Sequence, residues 1–559
     1  MQYSFFTYQS PLSIVEIQPG ESMPPQTQRV VVVVIGGLGL TAVSEVDMPN
    51  LEALLEAGAS APMISHAPTY PLPAWTTLLT GVWPDLNNAP ILETKASGLR
   101  PITFDHIFAA ASDTGLRTAI AGFEGWASLV PADAADASFY TSGEDAVADG
   151  QVAQAGLEFI ADSQYNLVLI YLTHMDAVGR SEGIDSNAYA SAARQVDNYL
   201  QQIIRLVDIP NSVLIVTSDH GLLEDGRWGG SETDLTQLPF VMIGQQVVPG
   251  VYSPVRQVDL APTISALLGM RLPAATQGRP LYEMVQLDQS ILTRGQLELA
   301  AQKVALSNAY LMAIGRDGLE QAIRQDLDSA RQTFLNGNQA GALELARLVS
   351  EEASAEMASA KAARIAGERW PRLVGLLIGL LFASLFFLGR RGNSSLMSIT
   401  GAGVTVAMYY ALYRLEGYTF SLSAVDAPDA FVTVLVRYAI IGLASGGMLI
   451  LVGLLYRDER RWSAAITAGY DYGLFAIFLS LLPAMVGYWQ HGATISWYLP
   501  ELRLTVLHFA ALVQVGVVAL LAIPLPWFIA AVVWGVGRWR TASEIRDQTW
   551  DPIARLRRR

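Results

Sequence analysis

Three groups of side chains in this sequence have the types and spacing that metal-assisted or nucleophilic chemistry requires. His174 and Asp176 lie two positions apart after one apolar run, and Asp219 directly precedes His220 after another. Carboxylate oxygens and imidazole nitrogens are the ligands that hold zinc in hydrolytic sites. If the strand before them continued, His174 and Asp176 would share one face and supply half of a metal site. Thr69 is the third candidate, as a nucleophilic hydroxyl.

Each of these groups also has an ordinary structural explanation. A threonine in a loop is often only a turn residue, and a histidine near a strand end often only donates a hydrogen bond. The pair Asp219 and His220 could hold the loop after its strand through bonds to the backbone. The secondary structure predicted around these side chains is therefore needed to choose between a chemical and a structural role.

The first 290 residues read as strands that alternate with helices. The β-branched run Arg29–Ile35 ends at a glycine pair and predicts a buried parallel strand. Further strands are predicted at Thr118–Ala121, Asn166–Leu172 and Ser212–Thr217, and helices at Met48–Ala57, Asp145–Asp162 and Asn187–Val207. This alternation predicts an α/β fold with a mostly parallel sheet between helices. Chemistry in such sheets collects at the carboxyl ends of the strands, so the site is expected in the loops after Ile35, Leu172 and Thr217.

Several sequence blocks then identify a family. They are Pro49–Leu54, Pro73–Thr76, Leu79–Pro84, Tyr171–Asp176, Thr217–Gly221 and Val258–Gly269. In order and spacing they resemble the type I phosphodiesterase/nucleotide pyrophosphatase branch of the alkaline-phosphatase superfamily. The resemblance covers roughly residues 29–285 and implies an alkaline-phosphatase-like sheet sandwiched by helices. It also implies a centre with two zinc ions and a serine or threonine nucleophile.

Carried over position by position, the resemblance implies that most of this centre has been replaced. Gly36 stands where the family has an aspartate after the first strand, and Pro71 stands at the nucleophile. Arg180 and Trp228 stand where the family has histidine ligands. Proline has no hydroxyl, and neither glycine nor tryptophan can bind zinc.

The positions that remain are Asp176, Asp219 and His220, which are interpreted as vestigial metal ligands with His174 as a further candidate. Each former metal site keeps at most two ligands, too few for a closed zinc site. Arg180 could instead supply the positive charge that the metal gives in the family. The sequence therefore predicts a pseudoenzyme in which Gly36→Asp, Pro71→Thr, Arg180→His and Trp228→His together would restore zinc binding.

The function predicted from these residues is that of a catalytically degenerate scaffold or subunit of a membrane complex. No catalytic residue and no cofactor are expected. One alternative is a metal-dependent phosphodiesterase or phosphotransferase acting on lipid or glycan headgroups outside the membrane, with zinc, and with Thr69 as nucleophile if its loop were shifted. GPI ethanolamine-phosphate transferases look similar in joining such a domain to many spans. The other alternative is a domain that binds an anion without turning it over.

The second part of the chain reads as a membrane domain. Hydrophobic residues make up 51% of the chain and charged residues only 16%, and the apolar excess follows Trp370. About five spans are predicted, at Leu373–Leu388, Leu396–Leu412, Ala430–Tyr456, Ala464–Tyr488 and Leu504–Trp534. Pro524 and Pro526 should kink the last span.

Arginines set the expected orientation. They follow the odd-numbered spans at Arg390, Arg391, Arg457, Arg460, Arg461, Arg538 and Arg540, and they recur in the tail at Arg555, Arg557, Arg558 and Arg559. By the positive-inside rule these ends are cytoplasmic and the soluble domain is extracytoplasmic. Met1–Gly20 contains no apolar core long enough for an export signal, so a cytoplasmic soluble domain stays open as the alternative.

The predicted organisation has five parts. They are an N-terminal extension (1–28), an alkaline-phosphatase-like domain (29–289), a helical stalk (290–369), a transmembrane domain (370–540) and a basic cytoplasmic tail (541–559). The net charge of −15 argues against a nucleic-acid partner, which leaves membrane lipids and other membrane-protein subunits as the expected partners. Arg437, Asp471 and His508 are ionisable residues within the predicted spans, where such groups are costly.

Overall fold

The computed structural model describes residues 4–5, 7–91, 101–131, 133–389, 393–425, 427–457 and 461–549. Arg390, Arg391, Arg460 and the basic tail from Arg555 lie outside the described residues. Contacts divide the chain into two compact units. Unit 1 comprises Met1–Ala366, Ser421–Ser423 and Thr494–Leu502, and unit 2 comprises Gly367–Phe420, Ala424–Ala493 and Arg503–Arg559.

Unit 1 is built on a mixed sheet whose central strands are apolar throughout. All but the first residue of β1 are buried, as β-branched residues that fill both faces of a parallel sheet should be. The described strands are β1 (Arg29–Ile35), β2 (Ala59–Ile64), β3 (Thr118–Phe123), β4 (Ala137–Thr141), β5 (Leu167–Leu172), β6 (Ser212–Ser218), β7 (Gln237–Gly244), β8 (Gly250–Val251) and β9 (Val255–Arg256). The α/β fold predicted from the alternation of strands and helices is confirmed.

The order of the strands brings three loops together. The sheet runs β4-β3-β5-β1-β6-β7-β2-β8, and β9 also pairs with β2. β1 lies between β5 and β6, parallel to both, and Ile35 is in register with Leu172 on one side and Ser218 on the other. The residues that follow these three strand ends are therefore neighbours at one edge of the sheet.

Helices cover both faces of the sheet in unit 1. They are α1 (Leu40–Val43), α2 (Pro49–Ala57), α3 (Pro71–Thr80), α4 (Ile107–Asp113), α5 (Ala146–Ala161), α6 (His174–Glu182), α7 (Asn187–Leu206), α8 (Thr233–Thr236), α9 (Leu260–Leu268), α10 (Gln289–Ala313), α11 (Gln321–Leu335) and the first part of α12 (Gln339–Leu388). The long amphipathic α7 is capped by Ser186, the residue before its first turn. The Ser186 hydroxyl accepts a hydrogen bond from the backbone N–H of Tyr189.

The segment predicted as a separate stalk belongs to unit 1. Leu297 and Tyr310 of α10 and Val349 of α12 share a buried core with Leu12 and Val82. Apolar residues on these helices are thus buried against the α/β domain, which periodicity alone could not show. The helix α12 then continues without interruption across the predicted boundary at 369/370.

Unit 2 is a helical bundle with the apolar character of a membrane protein. It contains the rest of α12, α13 (Asn393–Leu415), α14 (Pro428–Tyr456), α15 (Trp462–His491), α16 (Leu502–Ala522) and α17 (Leu525–Thr549). Among the described residues, five helices are long and apolar enough to cross a bilayer: α12, α13 from Leu396 onward, α14, α15 and α16. The chain is therefore a multi-pass membrane protein.

The last predicted span differs from the expected single kinked helix. α16 ends at Ala522 and α17 begins at Leu525, so the helix breaks next to Pro524. Residues on both sides of the break nevertheless pack against glycines of α15. His508, Ala522 and Pro526 lie against Gly487, Gly473 and Gly469, in that order. Glycines at these positions allow the close approach of helices that is typical of membrane interfaces.

Candidate functional site

Asp219, at the carboxyl end of β6, is fully buried and its carboxylate is already occupied by donors of the protein. Oδ1 accepts hydrogen bonds from the backbone N–H groups of Gly37 (3.3 Å) and His220 (2.8 Å). Oδ2 accepts from the indole N–H of Trp75 (2.7 Å) and the hydroxyl of Tyr171 (3.1 Å). A carboxylate with both oxygens engaged in this way has little capacity left for a metal ion.

Tyr171 also fills the space that a side chain at position 36 would need. A Cβ built on Gly36 would lie 2.6 Å from the Tyr171 hydroxyl oxygen and 3.2 Å from the carbonyl oxygen of Leu172. Burial, followed by the nearby Asp219 carboxylate, raises the pKa of Tyr171 well above its usual value, so the hydroxyl keeps its proton and donates. The glycine at 36 and the tyrosine at 171 are therefore mutually dependent.

Arg180 lies among two carboxylates and an indole ring. Its Nε is 3.0 Å from Oδ2 of Asp176, one helical turn away on α6, and its Nη2 donates to Glu144 at 3.0 Å. The guanidinium carbon lies 4.9 Å from the ring centre of Trp228, as in a cation–π contact. The two residues that the resemblance predicts at histidine positions thus pack on each other, and a guanidinium lies beside the Asp176 carboxylate.

His220 lies between the two buried aspartates without a hydrogen bond to either. Its Nε2 is 3.8 Å from Asp176 Oδ1 and 3.7 Å from Asp219 Oδ2, while Nδ1 lies 3.0 Å from the carbonyl oxygen of Gly221. Burial lowers the pKa of His220, but the carboxylates of Asp219 and Asp176 outweigh this effect and the pKa is raised overall. The two carboxylates therefore favour the protonated form of the imidazole, against the effect of burial.

A two-zinc centre does not fit these residues. Among the described residues, Asp176 Oδ1 and His220 Nε2 are the buried atoms of this cluster that could bind a metal and make no hydrogen bond. They supply one carboxylate and one imidazole, whereas a zinc site needs at least three protein ligands. Across the residues that the structure describes, no three His, Cys, Asp or Glu side chains are arranged to hold a metal ion.

Thr69 and Pro71, the two positions considered for a nucleophile, both have structural roles. Pro71 is the first residue of α3, where its fixed φ and missing N–H are favourable. Thr69 is fully buried and its hydroxyl donates to the carbonyl oxygen of Gly230 at 3.0 Å. In this arrangement the Thr69 hydroxyl is committed to the backbone of unit 1.

The expectation that His174 and Asp176 share a face is wrong. β5 ends at Leu172 and α6 begins at His174, and residues two apart on a helix point in different directions. Asp176 is buried in the cluster, while Nδ1 of His174 lies 3.2 Å from the carbonyl oxygen of Glu144. His174 therefore belongs to the rim of the site and not to a group of metal ligands.

A cavity of about 530 Å³ opens beside this cluster. Trp75, Tyr171, Asp176 and Arg180 line it on the cluster side; its remaining lining is Tyr70, Pro71, Leu72, Phe123, Glu124, Gly125, Ala127, Ser128, Glu144 and Thr173. This volume suits a small organic ligand or a lipid headgroup. Pro71, which the resemblance predicts at the nucleophile position, is part of its wall.

Sequence reasoning missed Trp75, Tyr171 and Glu144 as site residues. Trp75 and Tyr171 lie within the recognised blocks, but their role depends on long-range contacts with Asp219 that no local pattern reveals.

A segment of three residues between two membrane helices was missed as well. The hydroxyls of Ser421 and Ser423 donate to Glu232 at 3.0 and 2.6 Å, inside unit 1.

Comparison with known proteins confirms the resemblance for this part of the chain. Residues 30–87 and 98–224 match the family model described as type I phosphodiesterase / nucleotide pyrophosphatase. The human GPI ethanolamine phosphate transferase 2, catalytic subunit, is 26% identical over 294 residues, which are 47% of this chain and 28% of that protein. The GPI ethanolamine phosphate transferase 3 of Schizosaccharomyces pombe is 29% identical over 141 residues, 24% of this chain and 15% of that protein.

A shorter stretch of the chain is similar to a further relative. The 2,3-bisphosphoglycerate-independent phosphoglycerate mutase of Serratia proteamaculans is 30% identical over 129 residues, 22% of this chain and 25% of that protein. The chain spans less than a third of the length of the curated relatives it matches.

Two solved structures each match 46–47% of this chain, and each match extends over the whole of the solved chain. Murine ectonucleotide pyrophosphatase / phosphodiesterase 5 is 14% identical with a TM-score of 0.38, and wild-type alkaline phosphatase PafA is 11% identical with a TM-score of 0.39.

Proposed function

We propose that this membrane protein carries a non-catalytic domain of the alkaline-phosphatase type, which acts as a scaffold or subunit of a membrane complex. One observation carries the proposal: Trp75 and Tyr171 occupy the Asp219 carboxylate, and Tyr171 also fills the space of the missing side chain at Gly36. A carboxylate bound by two side-chain donors is a structural anchor. The cavity beside it remains available for a ligand that is held without being turned over.

The relatives support a second candidate function. Three of them are GPI ethanolamine phosphate transferases, which favours a phosphotransferase that acts on lipid or glycan headgroups. The residues at the site speak against it, because Pro71 offers no hydroxyl and Thr69 donates to the backbone. Binding of an anion is the third candidate. The described lining of the cavity disfavours it, since three carboxylates, of Glu124, Glu144 and Asp176, stand against one cation, Arg180.

Metal content and hydrolysis together test the proposal. The purified full chain, dialysed and then supplied with zinc, should hold well under one zinc ion per chain. It should hydrolyse an activated phosphodiester no faster than its Asp219→Asn variant does. The Thr69→Ala variant serves as a second control for a shifted nucleophile loop. Two zinc ions per chain, or hydrolysis that depends on zinc and on Thr69, would establish the phosphotransferase candidate instead.

We also propose that unit 1 is extracytoplasmic and that the C-terminus is cytoplasmic. Arg457 and Arg461 lie at the ends of α14 and α15, and Arg538 and Arg540 lie in α17; this asymmetry supports the orientation. Protease added to intact cells should digest residues 1–366 and spare a tag placed after Arg559. The reverse pattern of cleavage would place unit 1 in the cytoplasm.

A further inference from the structure

Four basic side chains meet at one end of the bundle in unit 2. Arg369 and Arg372 lie in α12 immediately before its apolar stretch, His491 is the last residue of α15, and His508 lies near the start of α16. The Arg369 Nε donates to the carbonyl oxygen of Gln490 at 3.4 Å. We call these four residues the basic cluster.

The last turn of α15 holds the basic cluster together. The guanidinium of Arg372 packs on Gly492, where a built Cβ would lie 2.8 Å from its central carbon. On the other side His508 packs on Gly487, where a built Cβ would meet its Nδ1. His491 lies one helical turn from Gly487 on the same face of α15, and Arg369, Arg372 and His508 are its electrostatic neighbours.

Several polar atoms of the basic cluster are buried without a partner. Within the described part of the chain, neither ring nitrogen of His491 makes a hydrogen bond, and no acceptor is found for Nη1 of Arg372. His491 is only 1% exposed. A buried polar atom left unpaired is costly, and in native proteins it commonly marks an unseen water or ion. Arg369 caps a carbonyl group in the last turn of α15, which explains its position. Capping does not explain why the nitrogens of His491 and Nη1 of Arg372 are buried without a hydrogen bond.

The charge and position of the cluster indicate the kind of partner. Arg372 is paired with Glu368 at 2.7 Å, so Arg369 supplies the excess positive charge and the histidines supply further donors. The flanking Trp370 and Tyr488 are 69% and 40% exposed, which is typical of side chains at the membrane–water interface. Arginine and histidine donors grouped between membrane helices at this level suit the phosphate of a lipid headgroup.

We propose that the basic cluster binds the phosphate group of a phospholipid headgroup. The phosphate oxygens accept from Arg372 Nη1, Arg369 and the N–H of His491, and the acyl chains lie along the apolar surface of the bundle. Charge-assisted bonds to phosphate are short and strong. The proposal concerns unit 2 alone and does not depend on the function proposed for unit 1.

Lipid-dependent stability of the full chain tests the site. The delipidated protein in detergent is titrated with phosphatidylglycerol, with diacylglycerol, which lacks the phosphate, and with inorganic phosphate. We expect phosphatidylglycerol alone to raise the thermal midpoint. The variant Arg369→Gln/Arg372→Gln should bind it about tenfold more weakly or worse. Arg414→Gln removes an exposed arginine of α13 outside the cluster and should respond like the unmodified chain.

A second variant keeps the test decisive if the double variant does not fold. His491→Leu removes two unpartnered nitrogens, so it should be at least as stable as the unmodified chain without lipid, yet should gain less stability from phosphatidylglycerol. An equal response to diacylglycerol would show that only the acyl chains bind. Protection by inorganic phosphate alone would show a soluble anion site, and an unchanged lipid response of both variants would place the lipid elsewhere; each of these results would overturn the proposal.

Discussion

Replacing Arg180 by glutamine is expected to lower the free energy of unfolding of unit 1 by about 3–5 kcal/mol. Asp176 has a side chain only 3% exposed, and the guanidinium of Arg180 forms an ion pair with it at 3.0 Å. Without that cation the carboxylate stays buried, with only His220 at 3.8 Å to balance it. The cation–π contact with Trp228 is lost as well. Chemical unfolding of the detergent-solubilised chain, followed by fluorescence, measures the loss.

Two controls separate this buried pair from an ordinary surface ion pair. Arg331→Gln removes a partner of Asp328 at 3.9 Å, in an exposed pair, and should change the stability by less than about 1 kcal/mol. Asp176→Asn introduced together with Arg180→Gln should recover much of the loss, because no buried charge then remains unpaired. A double variant as unstable as Arg180→Gln alone would contradict the explanation.

The deficit of the Arg180→Gln variant should also depend on pH. Burial raises the pKa of Asp176, an effect that His220 and Arg180 oppose. Removing Arg180 therefore raises this pKa further, and the protonated form needs no cation. Stability relative to the unmodified chain should improve as the pH falls through the folded-state pKa of Asp176. A deficit that stays constant over this range would indicate lost packing instead.

Restoring zinc binding is expected to require six substitutions. The four that the sequence suggests are Gly36→Asp, Pro71→Thr, Arg180→His and Trp228→His. They should fail, because an aspartate at 36 collides with the Tyr171 hydroxyl and Asp219 is held by Trp75 and Tyr171. Adding Tyr171→Val opens the space, and adding Trp75→Phe frees Oδ2 of Asp219 as a ligand. Zinc content should rise from near zero to between one and two ions per chain.

Gly36→Asp alone provides the structural check on this prediction. Overpacking of a filled core commonly costs about 1–3 kcal/mol, and a buried unpaired carboxylate adds to that cost. Combined with Tyr171→Val, the same substitution should be less destabilising than it is alone. As a negative control, Asp219→Asn in the six-site variant should abolish the gain in zinc. Zinc binding by the four-site variant with Tyr171 and Trp75 intact would refute the account of the site.

The sequence was sufficient for the architecture because the signals are local. The run of valines in β1 and the spacing of apolar residues in α7 predict their structures directly. The limits of prediction lie where local and long-range effects compete. The strand was predicted to end at Leu172, as it does, but no local signal showed whether His174 and Asp176 would continue it; the chain instead turns into α6 at His174.

The contacts within the site could not be predicted from the sequence. The resemblance predicts that Gly36 and Arg180 depart from the family's residues, because a motif fixes positions along the chain. Family motifs do not reveal that Tyr171 fills the space at Gly36 or that Trp228 packs on Arg180, since these contacts join residues far apart in sequence.

The aromatic packing around Asp219 gives unit 1 an optical signal of its own. The rings of Trp75 and Trp126 are stacked with centres 4.9 Å apart and planes 24° from parallel. Indoles this close share their electronic excitation, and the coupling depends steeply on their separation and angle. Trp75 also lines the cavity. A molecule that enters the cavity and moves this ring will therefore change the circular dichroism of the chain, so that occupancy can be followed without any label.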